Sequence, residues 1–578
     1  MLYPTLEELP TARQNIDAFY GYDHNLRISE AAFFDMENLT SDYYPVMSPR
    51  RKRGVYAAPE KTTGIIAKDV LCYTDGADFV MGDTRIPMDL SDSPKQLTSM
   101  GAYVIIMPDK KYINTSNVED RGEIEETFEV SEGITFTLTK LTGEPYEVTH
   151  RQDTAPESPT AETLWIDTSS EPHALKQWNT ATSEWVSIAT TYIKISAPGI
   201  GEKFKLYDGV TISGLKDVEN KDIAKIDGSF VLWGVENDGI TIVGFLDKTE
   251  TLNIEMTVAR KMPNIDFLTE SENRLWGCRY GEALNGEMVN EIYACKLGDF
   301  KNWNCFMGVS TDSYAVSVGT DGPFTGAVTH LGYPLFFKEN SMHKLYGNYP
   351  ANFQLQTTSL RGVQKGCERS LAIVNEVLYY KSRSGVCAYD GSLPQEISRA
   401  LGEEIYTDAA AGAVGNKYYI SMRGKDGYTM FVYDTRLGLW HKEDATQARA
   451  FAAHGGELYF IAEDGKILTA LGSGEEYEQS IEWMAETGII GTDMPDKKYI
   501  SRINVRMFLD IGARMDIFAE YDSVGGWQHV CSLKGHSLRT FSIPVRPKRC
   551  DHLRLKFVGE GDAKIYSVTK TIEQGSDY

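Results

Sequence analysis

A repeat of about 40 residues is the feature of this sequence that most constrains its fold. Four segments, which begin at Gly332, Asn375, Gly415 and Gly455, start 43, 40 and 40 residues apart. Each runs into a few apolar or aromatic residues, passes a polar turn and enters a second apolar run. Pairs of short apolar runs joined by such turns are typical of β-hairpins. The repeat therefore predicts a series of similar small antiparallel sheets.

Three fainter copies of the pattern begin at Lys68, Met100 and Glu272, which brings the count to seven units. Units of about 40 to 45 residues with four short strands are typical of β-propeller blades, in which each sheet packs on the next. The best helical pattern, at residues 29–40, allows a short helix at most. We therefore predict an all-β fold, a β-propeller of about seven blades with an inserted β region and a C-terminal β-sandwich.

The spacing of the units also predicts the domain organisation. We expect an N-terminal arm at 1–60 that leads into the propeller, the first blades at 61–113 and the remaining blades at 263–477. Residues 114–262 are too many for a loop in a compact domain, and we expect inserted β domains there. Composition divides the insertion into an acidic part, 119–192, and a small β domain, 193–262. Alternating apolar and polar residues predict the sandwich at 478–578.

The chain is strongly acidic, with 58 Lys and Arg against 82 Asp and Glu and a net charge of −24. Residues 119–192 contribute 15 acidic and 4 basic residues to this balance. Such an excess disfavours a protein whose main task is to grip nucleic acid through its phosphates. The first residues have no signal-peptide pattern and the apolar runs are only as long as strands, so we expect neither export by a signal peptide nor membrane insertion.

Motifs of known catalytic chemistry are missing from the sequence. We find no Walker-type phosphate loop, no H-E-x-x-H, no G-x-S-x-G and no C-x-x-C pair among the eight cysteines. We therefore predict a protein that is not an enzyme, with no catalytic residues, no cofactor and no bound metal. A polysaccharide-degrading propeller hydrolase is the least favoured alternative, because the repeated Ser-x-Asp-x-Gly-x-x-Trp turns of sialidase-like propellers are missing.

One basic cluster stands out against this acidic background, and it consists of Arg50, Arg51, Lys52 and Arg53. It is a candidate contact for DNA or for an acidic partner. A run of this kind is more often a solvated loop, and here it could also neutralise the acidic surface of the chain itself.

Three tryptophans in the insertion, Trp165, Trp178 and Trp185, are candidates for stacking against a glycan. Aromatic rings provide the flat apolar surface that such binding needs. The alternative is that the three rings form the core of a small β module.

Several segments resemble virion proteins of tailed bacteriophages. Residues 21–54 are similar to the segment that leads into the first blade of propeller-based virion proteins. In that segment an Asn-Leu pair is followed, after gaps, by Pro and then by Arg. Residues 164–188 resemble a short module of phage tail and fibre proteins, with Trp-x-Asp-Thr at its start and Lys-x-Trp-Asn later. Residues 272–278 with 290–304, and 497–503 with 564–577, are similar to structural proteins of phages and prophages of Gram-positive bacteria.

The resemblance implies a ring-forming component of the neck or tail, such as a nozzle, hub or stopper, that is assembled in the bacterial cytoplasm and located in the virion. Its partners would be further copies of itself in a six-fold or twelve-fold ring, other neck or tail proteins, and phage DNA that passes without tight binding. An acidic protein suits a conduit, since a basic one would hold the duplex by counterion release. The alternative is a receptor-binding or glycan-binding tail protein.

Overall fold

A computed structural model of the chain describes residues 11–169, 171–283, 286–491, 497–544 and 549–574. In these residues the regular structure is almost entirely β-strand, which confirms the all-β prediction. The described exceptions are one α-helix, Lys221–Ala224, and the 3-10 turns Ile200–Lys203, Pro350–Asn352, Glu368–Ser370 and Arg399–Leu401.

Six four-stranded sheets of the described chain share one topology, an antiparallel meander whose strands follow each other in chain order, and a seventh, five-stranded sheet differs in that it includes an N-terminal strand. Sheet 1 comprises Ile65–Ala67, Leu71–Asp75, Asp78–Met81 and Thr84–Pro87, and sheet 2 comprises Gln96–Met100, Tyr103–Met107, Lys111–Asn114 and Arg121–Glu123. Sheet 3 comprises Phe267–Ser271, Arg274–Glu282, Met288–Ala294 and Tyr314–Ser317, and sheet 4 comprises Gly326–His330, Tyr333–Lys338, Ser341–Tyr346 and Gln354–Ser359.

The remaining three sheets follow without a long interruption. Sheet 5 comprises Ala372–Val374, Val377–Ser382, Gly385–Tyr389 and Gln395–Glu396, and sheet 6 comprises Thr407–Val414, Lys417–Arg423, Tyr428–Asp434 and Leu439–Lys442. Sheet 7 comprises Ala448–His454, Glu457–Ala462, Ile467–Thr469, Gly54–Ala57 and Glu475–Glu476. The apolar runs of the sequence repeat form the second strands of these sheets, because their side chains are buried on both faces.

The seven sheets contact one another in a closed cycle. The first strand of each sheet lies next to the first strand of the following sheet, except that sheet 4 meets sheet 5 through the turn Glu368–Ser370. The first strand of sheet 7 in turn contacts that of sheet 1. Hydrophobic clusters between neighbouring sheets follow the same cycle, and the cluster around Ile461, Ile467 and Leu71 joins sheet 7 to sheet 1. Burial of these faces is the main contribution to the stability of the cycle.

An N-terminal strand completes the last sheet. Gly54–Ala57 lies between Ile467–Thr469 and Glu475–Glu476, with Gly54 opposite both Thr469 and Glu476. The Gly54 N–H donates to the Thr469 hydroxyl at 3.0 Å, and that hydroxyl donates to the Ser473 carbonyl at 2.6 Å. The beginning and the end of the cycle are thereby held together by backbone pairing.

An inserted unit lies between sheets 2 and 3 and consists of two sheets around one core. One sheet has the order Glu126–Val130, Met256–Arg260, Gly209–Ser213 and Gly228–Val231. The other has the order Gly234–Glu236, Gly239–Val243, Tyr192–Ser196, Ile134–Thr139 and Glu250–Leu252.

A small four-stranded sheet is nested within the insertion and comprises His150–Gln152, Leu164–Asp167, Ala174–Asn179 and Glu184–Ser187. We call it the nested sheet. The expected division at 192/193 differs from this arrangement, since Ile134–Thr139 pairs with Tyr192–Ser196 in one sheet. The acidic composition of 119–192 crosses structural boundaries because it reflects exposed surface, whereas the units are defined by strand pairing.

The strands expected to form a C-terminal sandwich belong to one eight-stranded sheet that is curled into a half barrel. Its central strand, Lys498–Tyr521, has 24 residues and pairs on one side with Gln528–Ile543. On its other side it pairs first with Ala563–Gln574 and then with Leu553–Glu560. The short strand Arg549–Cys550 also pairs with it, and Glu482–Thr487 flanks Leu553–Glu560.

The N-terminal segment belongs largely to this C-terminal sheet rather than to a separate arm. Thr11–Ile16 pairs with Ala563–Gln574, and Phe33–Glu37 pairs with Glu482–Thr487. The short pair Leu39–Thr40 and Ser48–Pro49 follows. The helix allowed by the pattern at 29–40 is therefore a strand, because pairing with a distant strand outweighs weak local propensity.

None of the helices in the described ranges has the length and the apolar character needed to cross a membrane.

The closure by Gly54 can be tested with Gly54→Ala. A Cβ at this position would overlap the Ser473 carbonyl oxygen, so we expect a loss of about 1–3 kcal/mol in the free energy of unfolding, measured by urea denaturation of the full chain. Gly319→Ala is the matched control, since a Cβ there meets no atom within 4 Å, and we expect a change below about 0.5 kcal/mol. Equal losses in the two variants would contradict the closure.

Candidate functional site

Two of the four candidate basic residues are buried inside the chain. Arg50 is 7% exposed and Arg53 is 3% exposed. The Arg50 guanidinium donates from both Nη atoms to the two Glu478 carboxylate oxygens at 2.8 Å, and its Nε donates to Asn38 at 2.8 Å. This fork-to-fork geometry is the strongest form of an arginine–carboxylate pair.

Arg53 binds the two acidic residues that lead from sheet 6 into sheet 7. Its Nη2 donates to Glu443 at 2.6 Å and its Nη1 donates to Asp444 at 2.7 Å and to the Thr446 hydroxyl at 2.6 Å. Burial by itself would raise the pKa of the Asp444 carboxyl, but the charges of Arg53 and Arg50 outweigh this effect and hold that pKa at about 2. The network fixes the N-terminal segment next to the strand that completes sheet 7.

The expectation of a partner contact is therefore wrong for Arg50 and Arg53, because their guanidinium groups are enclosed and paired within the chain. Arg51 and Lys52 are exposed, and the Lys52 ammonium pairs with Glu476 at 3.2 Å on the surface. Two of the four positive charges thus remain accessible to another molecule.

The nested sheet presents its three tryptophans on one face. Trp178 lies directly opposite Trp185, and Trp165 lies opposite Lys176, so alternation places all four side chains on the same side. On the other side, Ile166 and Leu175 are buried in the core of the inserted unit.

The tryptophan rings form an edge-to-face cluster. Trp185 is T-shaped against both Trp165 and Trp178, with ring centroids 5.2 and 5.4 Å apart. Trp165 is 4% exposed and its Nε1 donates to the Gln152 carbonyl at 2.9 Å, whereas Trp178 and Trp185 are half-buried. Trp165 therefore supports the cluster, and the other two rings are accessible from outside.

A charged pair borders this aromatic face. The Lys176 ammonium lies 5.0 Å from the centre of the Trp165 ring and donates to Asp167 at 2.7 Å. Hydrogen bonds from Lys176 and Ser169 lower the pKa of the Asp167 carboxyl to about 2. The face thus combines apolar rings with fixed hydrogen-bonding groups.

A cleft of about 750 Å³ lies beside the nested sheet and is lined partly by residues of that sheet's connections and partly by the rest of the inserted unit. Its wall carries charges of both signs, and His173 lies against Asp247 with Nδ1 at 3.0 Å from both carboxylate oxygens. Other carboxylates of the cleft are also engaged, since Glu250 accepts from Asn220 at 2.7 Å and Asp222 accepts from Lys225 at 3.0 Å. Among the described residues, no group of three or more His, Cys, Asp or Glu side chains is arranged to hold a metal ion.

A third surface, which no sequence motif indicated, is the open edge of the C-terminal sheet. We call the strand Gln528–Ile543 the long edge strand, because within the described residues it pairs only with Lys498–Tyr521. It has 16 residues, and Lys534, Leu538 and Arg539 on it are exposed. The bend of the central strand beside it carries Ile511, which is 98% exposed. The sequence signal for the long edge strand was its alternation of apolar and polar residues, with basic side chains among the polar ones. Whether a strand lies at the edge depends on how the whole sheet pairs, and the sequence of the strand does not show this.

The buried arginine network predicts a specific stability loss. We expect Arg53→Met to lower the free energy of unfolding by about 3–5 kcal/mol, because it leaves Glu443 and Asp444 without their buried partner. Arg51→Met, two residues away and exposed, is the control and should change it by less than about 0.5 kcal/mol. Urea denaturation of both variants measures the difference, and similar losses would contradict the assignment.

The same network predicts a pH dependence. Since the pKa of Asp444 is lowered in the folded chain, its contribution is fully present above its unfolded pKa of about 4 and is lost as the pH falls towards 2. The stability difference between the unmodified chain and Arg53→Met should therefore narrow between about pH 5 and pH 2. A constant difference over this range would show that Asp444 is not the partner concerned.

No protein-family model matches the sequence, and no curated protein is significantly similar to it. Among solved structures, the chain is similar to the exo-β-1,3-galactanase of Phanerochaete chrysosporium, with 7% identity, 53% of this chain and 95% of that chain covered, and a TM-score of 0.20. The acylaminoacyl peptidase of Pyrococcus horikoshii gives 9% identity, 50% and 47% coverage and a TM-score of 0.24. A family 43 arabinoxylan arabinofuranohydrolase of Bacillus subtilis gives 8% identity, 52% and 94% coverage and a TM-score of 0.18. With scores this low, these likenesses carry no argument about fold or activity.

Proposed function

We propose that the chain is a non-enzymatic structural component of a tailed-phage virion, a ring-forming protein of the neck or tail such as a nozzle, hub or stopper. The proposal rests on the resemblance of residues 21–54 and 164–188 to phage virion proteins. The closed cycle of sheets supports the further proposal that sheets 1 to 7 are the blades of a seven-bladed β-propeller. Its place of assembly would be the host cytoplasm and its final location the virion.

The observation that carries the ring is the long edge strand. Within the described residues this 16-residue strand pairs on one side, and soluble monomers usually protect edges of this length because another strand can add to them. Its exposed Lys534 and Arg539 oppose the net charge of −24 of the chain. A second copy of the chain is therefore the partner that fits this edge, since its acidic surface attracts these cations.

The contact we propose is head-to-tail, with the long edge strand of one copy against a different surface of the next. A contact of this type generates a ring when the rotation between copies closes. Exposed Ile511 and Leu538 lie near the bend of the sheet and would be covered in it. Covering apolar side chains adds a stabilisation that salt does not screen.

DNA would pass between copies in this proposal and not through the cycle of sheets within one chain. The pocket enclosed by the first strands has a volume of about 350 Å³. A sphere of that volume is about 9 Å across. This is less than the ~12 Å width of the major groove of B-DNA, which is only one part of the duplex, so the duplex does not fit. The conduit therefore requires the ring, and the acidic character of the chain keeps the passing duplex from binding tightly.

The ring can be tested with Leu538→Glu, which places a negative charge on the long edge strand. We expect the unmodified chain to form a closed oligomer in native mass measurement and negative-stain images, and Leu538→Glu to shift it to monomer. Leu393→Glu is the control, because Leu393 is 63% exposed on a loop of sheet 5, and it should leave the oligomer intact. The proposal would be refuted if the unmodified chain and both variants were all monomeric and the chain were absent from purified virions.

A second candidate function is glycan binding by a tail protein, and the outward face of the nested sheet favours it. Half-buried Trp178 and Trp185 offer apolar rings, with the Lys176–Asp167 pair at the border. A pyranose ring could stack on such a surface while its hydroxyl groups bind the polar border.

This second function predicts that the double variant Trp178→Ala and Trp185→Ala loses binding to host cell-wall polysaccharide by at least about tenfold, in a pull-down with the purified chain. Trp233→Ala is the control, since Trp233 is a half-buried tryptophan elsewhere in the insertion. Point variants are preferable to removal of 119–192, which would delete Glu126–Val130 and Ile134–Thr139 from the core of the inserted unit. Undiminished binding of the double variant would remove this candidate.

A further inference from the structure

A pocket of about 350 Å³ lies where the first strands of sheets 1 to 7 meet, and we call it the axial pocket. Every one of the seven sheets, or the turn that leads into it, contributes to its wall. Much of the wall is apolar, with Ile65, Leu97, Phe267, Leu371 and Phe451 among its residues. Its volume is in the range of small-molecule sites, which combine an apolar wall with a few polar groups that fix the ligand.

One arginine reaches across this pocket. Arg369 lies on the turn Glu368–Ser370 before sheet 5, and its Nη1 donates to the Arg449 carbonyl of sheet 7 at 2.9 Å. Its Nη2 lies 3.5 Å from the Lys95 carbonyl, beside the first strand of sheet 2. The side chain thus extends from sheet 5 towards two sheets on the far side of the pocket.

The turn that carries Arg369 is fixed by buried hydrogen bonds. The Ser370 hydroxyl donates to the Cys367 carbonyl at 2.6 Å and accepts from the Lys381 N–H at 2.9 Å. The Tyr418 hydroxyl donates to the Ser370 carbonyl at 2.8 Å. Arg369 is therefore held in place before any ligand arrives, which reduces the entropy cost of binding.

The charge of Arg369 is poorly compensated by the chain. Within the described residues no carboxylate lies within ion-pair distance of it, in contrast to Arg50, Arg53 and Arg260. Burial lowers the pKa of Arg369, while Glu368 and Asp408 act from a distance in the opposite direction and the positive charge of Arg449 lowers it further. A guanidinium has five N–H donors, and two carbonyl contacts leave donors for another acceptor.

We propose that the axial pocket binds a small organic carboxylate, with the carboxylate on Arg369 and an apolar body against the wall. The planar guanidinium matches a carboxylate in two parallel hydrogen bonds. Two carboxylates also line the pocket, but Asp266 is paired with Arg279 at 2.6 Å, and within the described residues neither Asp266 nor Glu368 forms an ion pair with Arg369, so a bound carboxylate would provide that partner. Phosphate shares the charge but has no apolar part for the wall around Phe267 and Phe451. This site is independent of the ring contact at the long edge strand.

Isothermal titration of the full chain with three probes tests the proposal. We expect benzoate to bind, and benzamide, its neutral analogue of the same shape, to bind at least about tenfold more weakly because it cannot form the charge-assisted pair. Inorganic phosphate should also bind more weakly than benzoate. Equal binding of benzoate and benzamide, no benzoate binding at millimolar concentration, or tighter binding of phosphate would each overturn the proposal.

Two variants assign the site to Arg369 and to the wall. Arg369→Gln should weaken benzoate binding about tenfold to hundredfold, while Arg361→Gln, at an exposed arginine 56% accessible in its side chain, should leave it unchanged. If Arg369→Gln does not fold, Ala450→Leu decides the question, since it narrows the pocket and keeps Arg369. Full benzoate binding by folded Arg369→Gln or by Ala450→Leu would place the ligand elsewhere and overturn the assignment.

Discussion

The pairing of Gly54–Ala57 with Ile467–Thr469 is the interaction on which the rest of the structure depends. Without it, sheet 7 would end at an open strand, and sheet 7 would be held against sheet 1 only by side-chain packing. Because the pairing joins residues more than 400 positions apart, the cycle can close only when the chain is present through Thr469. The buried ion pairs of Arg50 and Arg53 lie beside this strand, so the electrostatic network and the backbone pairing stabilise the same junction.

The closed cycle also explains how the chain accommodates a large insertion. The inserted unit leaves the cycle after sheet 2 and returns before sheet 3, and first strands of these two sheets remain in contact. A second anchor is the buried pair of Arg260 with Asp208, whose carboxylate also accepts from Asn302 at 2.9 Å. The insertion is thus hydrogen-bonded through Asp208 to the loop of sheet 3 that carries Asn302, and the nested sheet within it presents Trp178 and Trp185 outward.

The sequence was most informative where local pattern and final pairing agree. The apolar runs at 335–337, 378–380, 418–420 and 458–461 form buried second strands, because neighbouring hairpin strands need only a turn to find each other. Pattern was uninformative for Gly54–Ala57 and Glu475–Glu476, which are short and pair only through the closure. It was misleading for Phe33–Glu37, whose partner strand is far away in the sequence.

The candidate residues show the same limit of sequence reasoning. The sequence identified Arg50 and Arg53 as charged, but their burial depends on Glu478 and Glu443, which lie about 400 residues away. The outward position of Trp178 and Trp185 follows from strand alternation once the register is known. The sequence around Arg369 does not mark it as a candidate binding residue, since the axial pocket beside it is formed by all seven sheets.

Backbone pairing at strand edges plays two different roles in this chain, and the charges nearby distinguish them. At the closure, the cations Arg50 and Arg53 are buried against carboxylates, so salt has little effect on that junction. At the long edge strand, Lys534 and Arg539 are exposed and add attraction that salt screens. An internal junction of the first kind forms as the chain folds, whereas in the proposed ring an edge of the second kind would join copies after folding. In the ring that we propose, the acidic surface would provide the charge to which such an edge is attracted.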